Sequence, residues 1–286
     1  MDELEKYVLL VASTIIKKDN IEVIERLKGG MSHLTYKIKF DDNFYVIRVV
    51  GKYGNYFIDR KDELEALENV HHSNITNRVY YINTQTGYKV SSFIEGIVLS
   101  ESDPKPVLSK IVNTLKILHS SKKIKNDFNY LERIEEVQKE LTTVSDLFNE
   151  LFSNWIEIYN KKYRNDPKVL CHNDAQRSNM VLKDEKIYLL DFEFAANNSI
   201  YFEFASFGNI SIDDSIMLMK EYLKTYTKED IAHVKFYRAF QCLYWYLVAT
   251  FKEEVGLSKI LEFNFKELAE NYLLQAKLFL SEINDD

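Results

Sequence analysis

Between Val169 and Ala195 two short apolar runs each end in an acidic cluster, and this constrains the chain more than any other feature. The first, Val169-Leu-Cys171, leads into His172-Asn-Asp174, with Asn179 close behind. The second reaches Leu189-Leu190 and ends in Asp191-Phe-Glu193. Apolar runs this short, bounded by polar clusters, read as strands of a buried sheet. Such strands deliver their ends to loops, and these ends carry a carboxylate, an amide and a second carboxylate.

Taken one at a time, these residues say little. A loop Asp is ordinarily a turn former or a helix cap, and His172 alone reads as a hydrogen-bonded structural histidine. His172 and Asp174 sit too close along the chain for a hydrolase triad, and no G-x-S-x-G elbow accompanies them. The joint order is more informative: strand, His-Asn-Asp, Asn, strand, Asp-Phe-Glu. Asp174 and Asn179 have the spacing of the Asp and Asn in the kinase catalytic loop H-R-D-x-x-x-x-N. Asp191 stands where kinases place the Mg²⁺-binding Asp of D-F-G. Phosphoryl transfer from Mg-ATP needs such a proton acceptor, metal-binding amide and metal-binding carboxylate, because its catalysis is mostly positioning and charge neutralisation.

The rest of the chain is compatible with such an enzyme. Its 286 residues suffice for one large or two modest domains. Only 8 Gly and 3 Pro argue for long helices and short loops. A net charge of −7 gives no general attraction to nucleic acid or to anionic membranes. Cys171 and Cys242 form no disulfide framework or metal pattern. The acidic start, Met1-Asp-Glu-Leu-Glu5, does not resemble a signal peptide, and no uncharged apolar stretch reaches the roughly 18 residues of a membrane span. No membrane insertion and a cytoplasmic location are expected; oligomeric state is not legible.

Residues 1–18 have helical apolar spacing. Three β-type runs follow, Ile21–Lys28, Leu34–Phe40 and Asn43–Val50, the last two joined by an Asp41-Asp42 turn. A helix over Asp59–Val70 precedes two more strands, Asn77–Ile82 and Tyr88–Phe93. Helices are expected over Pro106–His119, as one or two longer elements over 130–163, and over 212–224, 228–252 and 259–282. The pattern predicts an α+β, bilobal, protein-kinase-like fold. A small five-stranded antiparallel N-lobe (1–94, nucleotide-binding) precedes a larger, mainly helical C-lobe (95–286, catalytic and acceptor-binding).

Gly29-Gly30 between two strands can place backbone N–H groups over phosphates, although taken alone the pair reads as ordinary hairpin turn chemistry. Arg48, in Tyr45-Val-Ile-Arg48, takes the place of the Lys in the kinase V-A-I-K strand, and Glu63 on the following helix is placed to pair with it.

With both ends in view the chain resembles the choline/ethanolamine kinase family, especially its bacterial choline kinases, over nearly its whole length. The resemblance rests on Gly29-Gly-Met-Ser32, Val46-Ile-Arg-Val-Val-Gly51, Ile58-Asp-Arg60 with Glu63, Cys171-His-Asn-Asp-Ala-Gln176 with Asn179, and Leu190-Asp-Phe-Glu-Phe-Ala195 with Asn197. It implies ATP-dependent phosphorylation of the hydroxyl of a small amino alcohol, choline first. It further implies Asp174 as the base, Asn179 and Asp191 as Mg²⁺ ligands, and Gln176 as support for the catalytic loop. Gly29, Gly30, Ser32 and Arg48, oriented by Glu63, would face ATP phosphates, and Ser92, Phe93 and Ile94 would form the adenine hinge.

For a permanently cationic acceptor the pocket should offer aromatic faces with carboxylates nearby. Trp245 matches the first of two tryptophans that the family carries on this helix; the second falls at Val248. Tyr244, Tyr201 and Glu193 complete the expected acceptor set, although an aromatic stripe at helical spacing is equally a core signature. Glu203 stands where family members usually carry an Asp that orders the loop beneath the site. The alternatives are an ethanolamine kinase, an aminoglycoside-type small-molecule kinase, or a catalytically silent ATP-binding scaffold.

Overall fold

A computed structural model describes residues 2–27 and 33–284. The chain forms two compact units, Met1–Lys125 with Arg177–Ala195, and Asn126–Gln176 with Ala196–Asp286. Element numbers follow the chain.

The first unit opens with α1 (Glu3–Ile16), nucleated by a reciprocal capping box in which Glu5 N–H donates to Asp2 and Asp2 N–H to Glu5. Strands β1 (Glu22–Arg26), β2 (His33–Phe40), β3 (Asn43–Val50), β4 (Val79–Ile82) and β5 (Lys89–Ser92) form the expected five-stranded antiparallel sheet, in the order β1-β2-β3-β5-β4. Helix α2 (Arg60–Val70) is inserted between β3 and β4. Strand alternation puts Tyr36, Ile38, Ile47, Val49 and Val90 on one face, where they pack with Val8 and Ala12 of α1. The β2–β3 turn holds Asp41 at φ 46° and Asp42 at φ 59°. Both are left-handed, as a two-residue hairpin turn matched to strand twist requires, and Asp tolerates that conformation.

The unit continues through β6 (Ile97–Val98) and α3 (Leu108–His119). After the chain has passed through the second unit it returns as β8 (Met180–Lys183) and β9 (Lys186–Leu189), giving an antiparallel β6-β8-β9 sheet. A side chain at Gly96 would come within 2.4 Å of the Leu182 carbonyl, so β6 reaches β8 only because that residue is Gly.

The second unit holds α4 (Tyr130–Gln138), α5 (Asp146–Ile158), β7 (Val169–Cys171), β10 (Ala196–Asn198) and α6 (Ile200–Phe207). It is completed by α7 (Ile212–Leu223), α8 (Lys228–Glu254), α9 (Leu257–Leu261) and α10 (Phe265–Asn284). Helix α8 starts at a Thr227–Asp230 capping box and is buried over most of its length, with α10 packed along it. Trp155 lies flat on Phe236 at 4.7 Å between ring centroids and donates from Nε1 to the Phe236 carbonyl at 3.1 Å.

The structure departs from the sequence expectation in three places. The 130–163 stretch forms two helices, α4 and α5, within the expectation of one or two, but ends in a π-type turn at Tyr159–Tyr163. The C-terminal stretch breaks between α9 and α10, with Glu262 at φ 50°. Helix α6 was not expected: Phe202 through Phe207 are all buried, Glu203 and Ser206 included, so it has no polar face to produce a helical period. Among the described residues no helix is long and apolar enough to cross a membrane.

Candidate functional site

In the first unit the site begins with strand parity. Ile47 and Val49 face α1, so Arg48 between them points to the opposite face, toward α2. Asp59 caps α2, which sets Glu63 one turn into the helix. Arg48 grips Glu63 with two parallel bonds, Nη1 to Oε1 at 2.9 Å and Nη2 to Oε2 at 2.7 Å. The same carboxylate accepts from Arg60 Nη1 at 2.8 Å and from Lys89 Nζ at 2.8 Å. Lys89 is there because β5 pairs with β3 in a register that sets it directly opposite Arg48, on the same face.

Two further acids close the cluster. Asp191 Oδ1 accepts from Arg48 Nη1 at 2.9 Å and lies 3.5 Å from Lys89 Nζ. Glu193 Oε2 lies 3.0 Å from Arg60 Nη1 and 2.8 Å from His33 Nε2. Burial pushes the Glu63 carboxyl up, but Lys89, Arg48 and Arg60 outweigh it and hold the group well below the usual range. Asp191 is likewise held low: its partial burial opposes ionisation, and Lys89 and Arg48 overcome it. Gly87, at φ 74°, offers its carbonyl to Arg48 Nε at 3.1 Å, and a side chain there would meet Asn55 Oδ1 at 2.6 Å.

Of the three acids only Asp191 is open: its side chain is 37% exposed, against 12% for Glu193 and 0% for Glu63. Its backbone is left-handed at φ 62°. Because Met180 pairs with Leu189, Asn179 and Asp191 leave the β8–β9 hairpin at the same end, and Leu190 N–H donates to the Asn179 carbonyl at 2.8 Å. No trio of His, Cys, Asp and Glu side chains is gathered as a metal site among the described residues. Mg²⁺ needs none, since it is commonly held by one or two carboxylates together with substrate phosphates, so this donor pair fits it. In the expected hinge, Ser92 N–H donates to the Arg78 carbonyl at 2.8 Å and Phe93 N–H to the Phe44 carbonyl at 3.1 Å. The Phe93 ring carries Lys37 Nζ at 4.2 Å from its centroid, and Ile94 is half-buried. Gly29, Gly30 and Ser32 lie outside the described residues.

In the second unit β7 pairs with β10 and ends at Cys171, and the loop after it is held from beneath. Asn173, at φ 63°, donates from its backbone N–H to Glu203 Oε1 at 2.6 Å and from Nδ2 to the Ala196 carbonyl at 3.2 Å. It accepts from Asn198 at 2.8 Å. Glu203 is fully buried, and that burial pushes its carboxyl up to about 7 against the pull of the Asn173 and His172 backbone N–H groups. Asp174 is half-buried; its Oδ2 accepts from Gln176 Nε2 at 3.1 Å.

The expected acceptor residues fall into three places. Trp245 is half-buried on α8, where its neighbours from Ala239 to Ala249 are otherwise buried, and Tyr244 meets it edge-on at 5.5 Å. Tyr201 lies flat on His233 at 3.8 Å and donates to Asp230. Between positions 233 and 245 α8 rises about 18 Å, so Tyr201 and Trp245 are not brought together. Glu193 sits in the ion cluster. Val248 is buried. The sequence reading did not single out Lys89, Arg60 or His33 as members of the cluster. Arg60 stood inside a quoted motif, whereas Lys89 is found only by knowing the β3–β5 register.

A sequence profile described as choline/ethanolamine kinase matches residues 24–276. Protein LicA of Haemophilus influenzae is 25% identical over 253 residues, covering 80% of this chain and 73% of that protein. A probable ethanolamine kinase of Arabidopsis thaliana is 28% identical over 246 residues, covering 74% of this chain and 64% of that protein. The crystal structure of choline kinase LicA from Streptococcus pneumoniae superposes with a TM-score of 0.80 at 22% identity, covering 98% of this chain and 100% of that one. The fold is thus protein-kinase-like, and with a match over most of its length the chain belongs to the choline/ethanolamine kinase family, as a phosphotransferase with an alcohol group as acceptor.

Proposed function

We propose that the chain transfers the γ-phosphoryl group of ATP to the hydroxyl of choline, giving phosphocholine and ADP. The observation that most supports this is Asp191, the one open carboxylate of a charge-matched cluster, at the hairpin end that also carries Asn179. Asn179 and Asp191 would hold Mg²⁺, which neutralises phosphoryl oxygens when bound. Arg48, its guanidinium plane set by Glu63, would contact phosphate oxygens, and Ser92, Phe93 and Ile94 the adenine.

Asp174 would accept the hydroxyl proton as the new oxygen–phosphorus bond forms and the bond to ADP breaks. A carboxylate need not deprotonate an alcohol beforehand: in a loose transition state the proton leaves late, and orientation of the hydroxyl dominates. Gln176, which donates to Asp174 Oδ2, would hold the carboxylate in position for that. Trp245, half-exposed on a buried helix with Tyr244 beside it, would face the acceptor cation.

Val248 supports ethanolamine as a second reading, because a primary ammonium needs hydrogen-bond acceptors more than a second aromatic wall. ADP release from Mg-ATP, measured with choline, ethanolamine, mono- and dimethylethanolamine and an aminoglycoside, decides between them. Turnover with choline well above the others sustains the proposal. Turnover with ethanolamine or an aminoglycoside alone keeps the catalytic roles and discards choline. ATP binding without turnover of any acceptor overturns the function.

A further inference from the structure

Behind Asp174 runs a chain of hydrogen bonds that crosses the second unit to α8. Gln176 Nε2 donates to Asp174 Oδ2 at 3.1 Å, and Gln176 Oε1 accepts from Asn209 Nδ2 at 2.6 Å. The Asn209 carbonyl accepts from Arg238 Nη2 at 2.8 Å, and Arg238 Nη1 donates to Gln241 Oε1 at 3.1 Å. Gln241 in turn donates to the Phe202 carbonyl at 3.0 Å and to Ser206 Oγ at 2.8 Å. Arg238 and Gln241 are buried, 2% and 4% exposed, so α8 holds this end rigidly.

The carboxylate end of the chain fixes its polarity. An ionised Asp174 can only accept, so Gln176 must turn its NH₂ toward it and its carbonyl away. That carbonyl then needs a donor, which fixes the Asn209 amide. The guanidinium at the far end donates to the Asn209 backbone carbonyl and so fixes where that residue sits. The acceptor-only carboxylate thus aligns the two side-chain amides while Arg238 anchors the Asn209 backbone, and reversing Gln176 would set a carbonyl oxygen against a carboxylate. Asn209 sits just past the end of α6, 33 residues from Gln176 in the chain, and carries no catalytic motif of its own.

We infer that Asn209 is a positioning residue for the transferred proton's acceptor: anchored by Arg238, it sets the orientation of Gln176 and through it the carboxylate of Asp174. This rests on the reading of Asp174 as the base. Its particular consequence is that polarity matters, beyond size or packing. Asn209→Asp keeps the shape and replaces the donor with an acceptor. Gln176 must then turn over, presenting its carbonyl to Asp174.

The test is steady-state ADP release with choline and Mg-ATP for wild type, Asn209→Ala, Asn209→Asp, Gln176→Ala and the Gln176→Ala/Asn209→Ala double variant, with thermal melting of each. Asn209→Ala is expected to lower kcat about tenfold with both KM values within about twofold, since misplacement of a reacting group acts on the chemical step. Asn209→Asp should fall further than Asn209→Ala. The double variant should be no slower than Gln176→Ala alone, because both substitutions break the same path. If Asn209→Asp does not melt cooperatively, the Gln176/Asn209 cycle decides. Additive losses, a change confined to KM, or an Asn209→Asp variant as active as wild type would overturn the inference. A wild-type protein with no acceptor-dependent turnover would instead overturn the function, and the inference with it. Full activity in Gln176→Ala would contradict the loop assignment at its first step.

Discussion

In the first unit Glu63 is fully buried among Arg48, Arg60 and Lys89; in the second, Glu203 is equally buried and meets the backbone N–H of Asn173. Burial pushes both carboxyls up. The three cations reverse the push for Glu63, and nothing reverses it for Glu203, which rises to about 7. The contrast shows how one chain builds two kinds of rigid support. A cluster that must present charge is made of matched ions, whose desolvation is repaid only while every partner is present. A loop that must aim one carboxylate is held by amides, with polarity doing the work that charge does elsewhere.

The largest effect is expected at the aimed carboxylate. Asp174→Asn should cut turnover by about 10³-fold, in the range of general-base losses, while ATP still binds by calorimetry. Unchanged turnover would remove Asp174 from the mechanism. Next comes the matched cluster: Glu63→Gln leaves three cations around a neutral group and should cost about 4 kcal/mol of unfolding free energy in urea. A loss under about 1 kcal/mol would show that the cluster's ions do not depend on one another.

Glu203 gives a pH dependence of opposite sense to an ion-paired acid. Its folded value of about 7 lies above the ordinary 4.5, so between these values the folded state binds a proton that the unfolded state has lost. Its contribution is therefore complete below about pH 4.5 and is lost as pH rises to about 7, on the order of 3 kcal/mol in all. Glu203→Gln should flatten that part of the stability profile measured by urea denaturation from pH 5 to 8. An unchanged slope would place the titration elsewhere. The smallest effect is expected at the acceptor end: Trp245→Ala should raise the KM for choline about tenfold, as loss of a cation–π face would, and leave the KM for ATP alone. An unchanged choline KM would return Trp245 to the packing of α8.

Much of this architecture was legible because local chemistry and tertiary structure agree. Strand β3 runs from Asn43 to Val50 as its pattern predicts, Asp41-Asp42 makes the turn, and α2 begins just after its Asp59 cap. Legibility failed where long-range packing set the local structure. Helix α6 is buried on every side and shows no period. Lys89 reaches Glu63 through a strand register, and Asn209 reaches Gln176 across 33 residues of chain; neither relation leaves a mark in a single sequence. Tyr201, an expected acceptor aromatic, instead has its ring on His233, because α6 docks at the N-terminal half of α8.

The most direct test of the central claim is ³¹P NMR of the protein incubated with Mg-ATP and choline. The account predicts a phosphomonoester resonance that grows with the loss of the γ-phosphate signal, coincides with added phosphocholine and is absent for Asp174→Asn. A γ-phosphate signal lost only to inorganic phosphate, or left intact while ATP is bound, would contradict it.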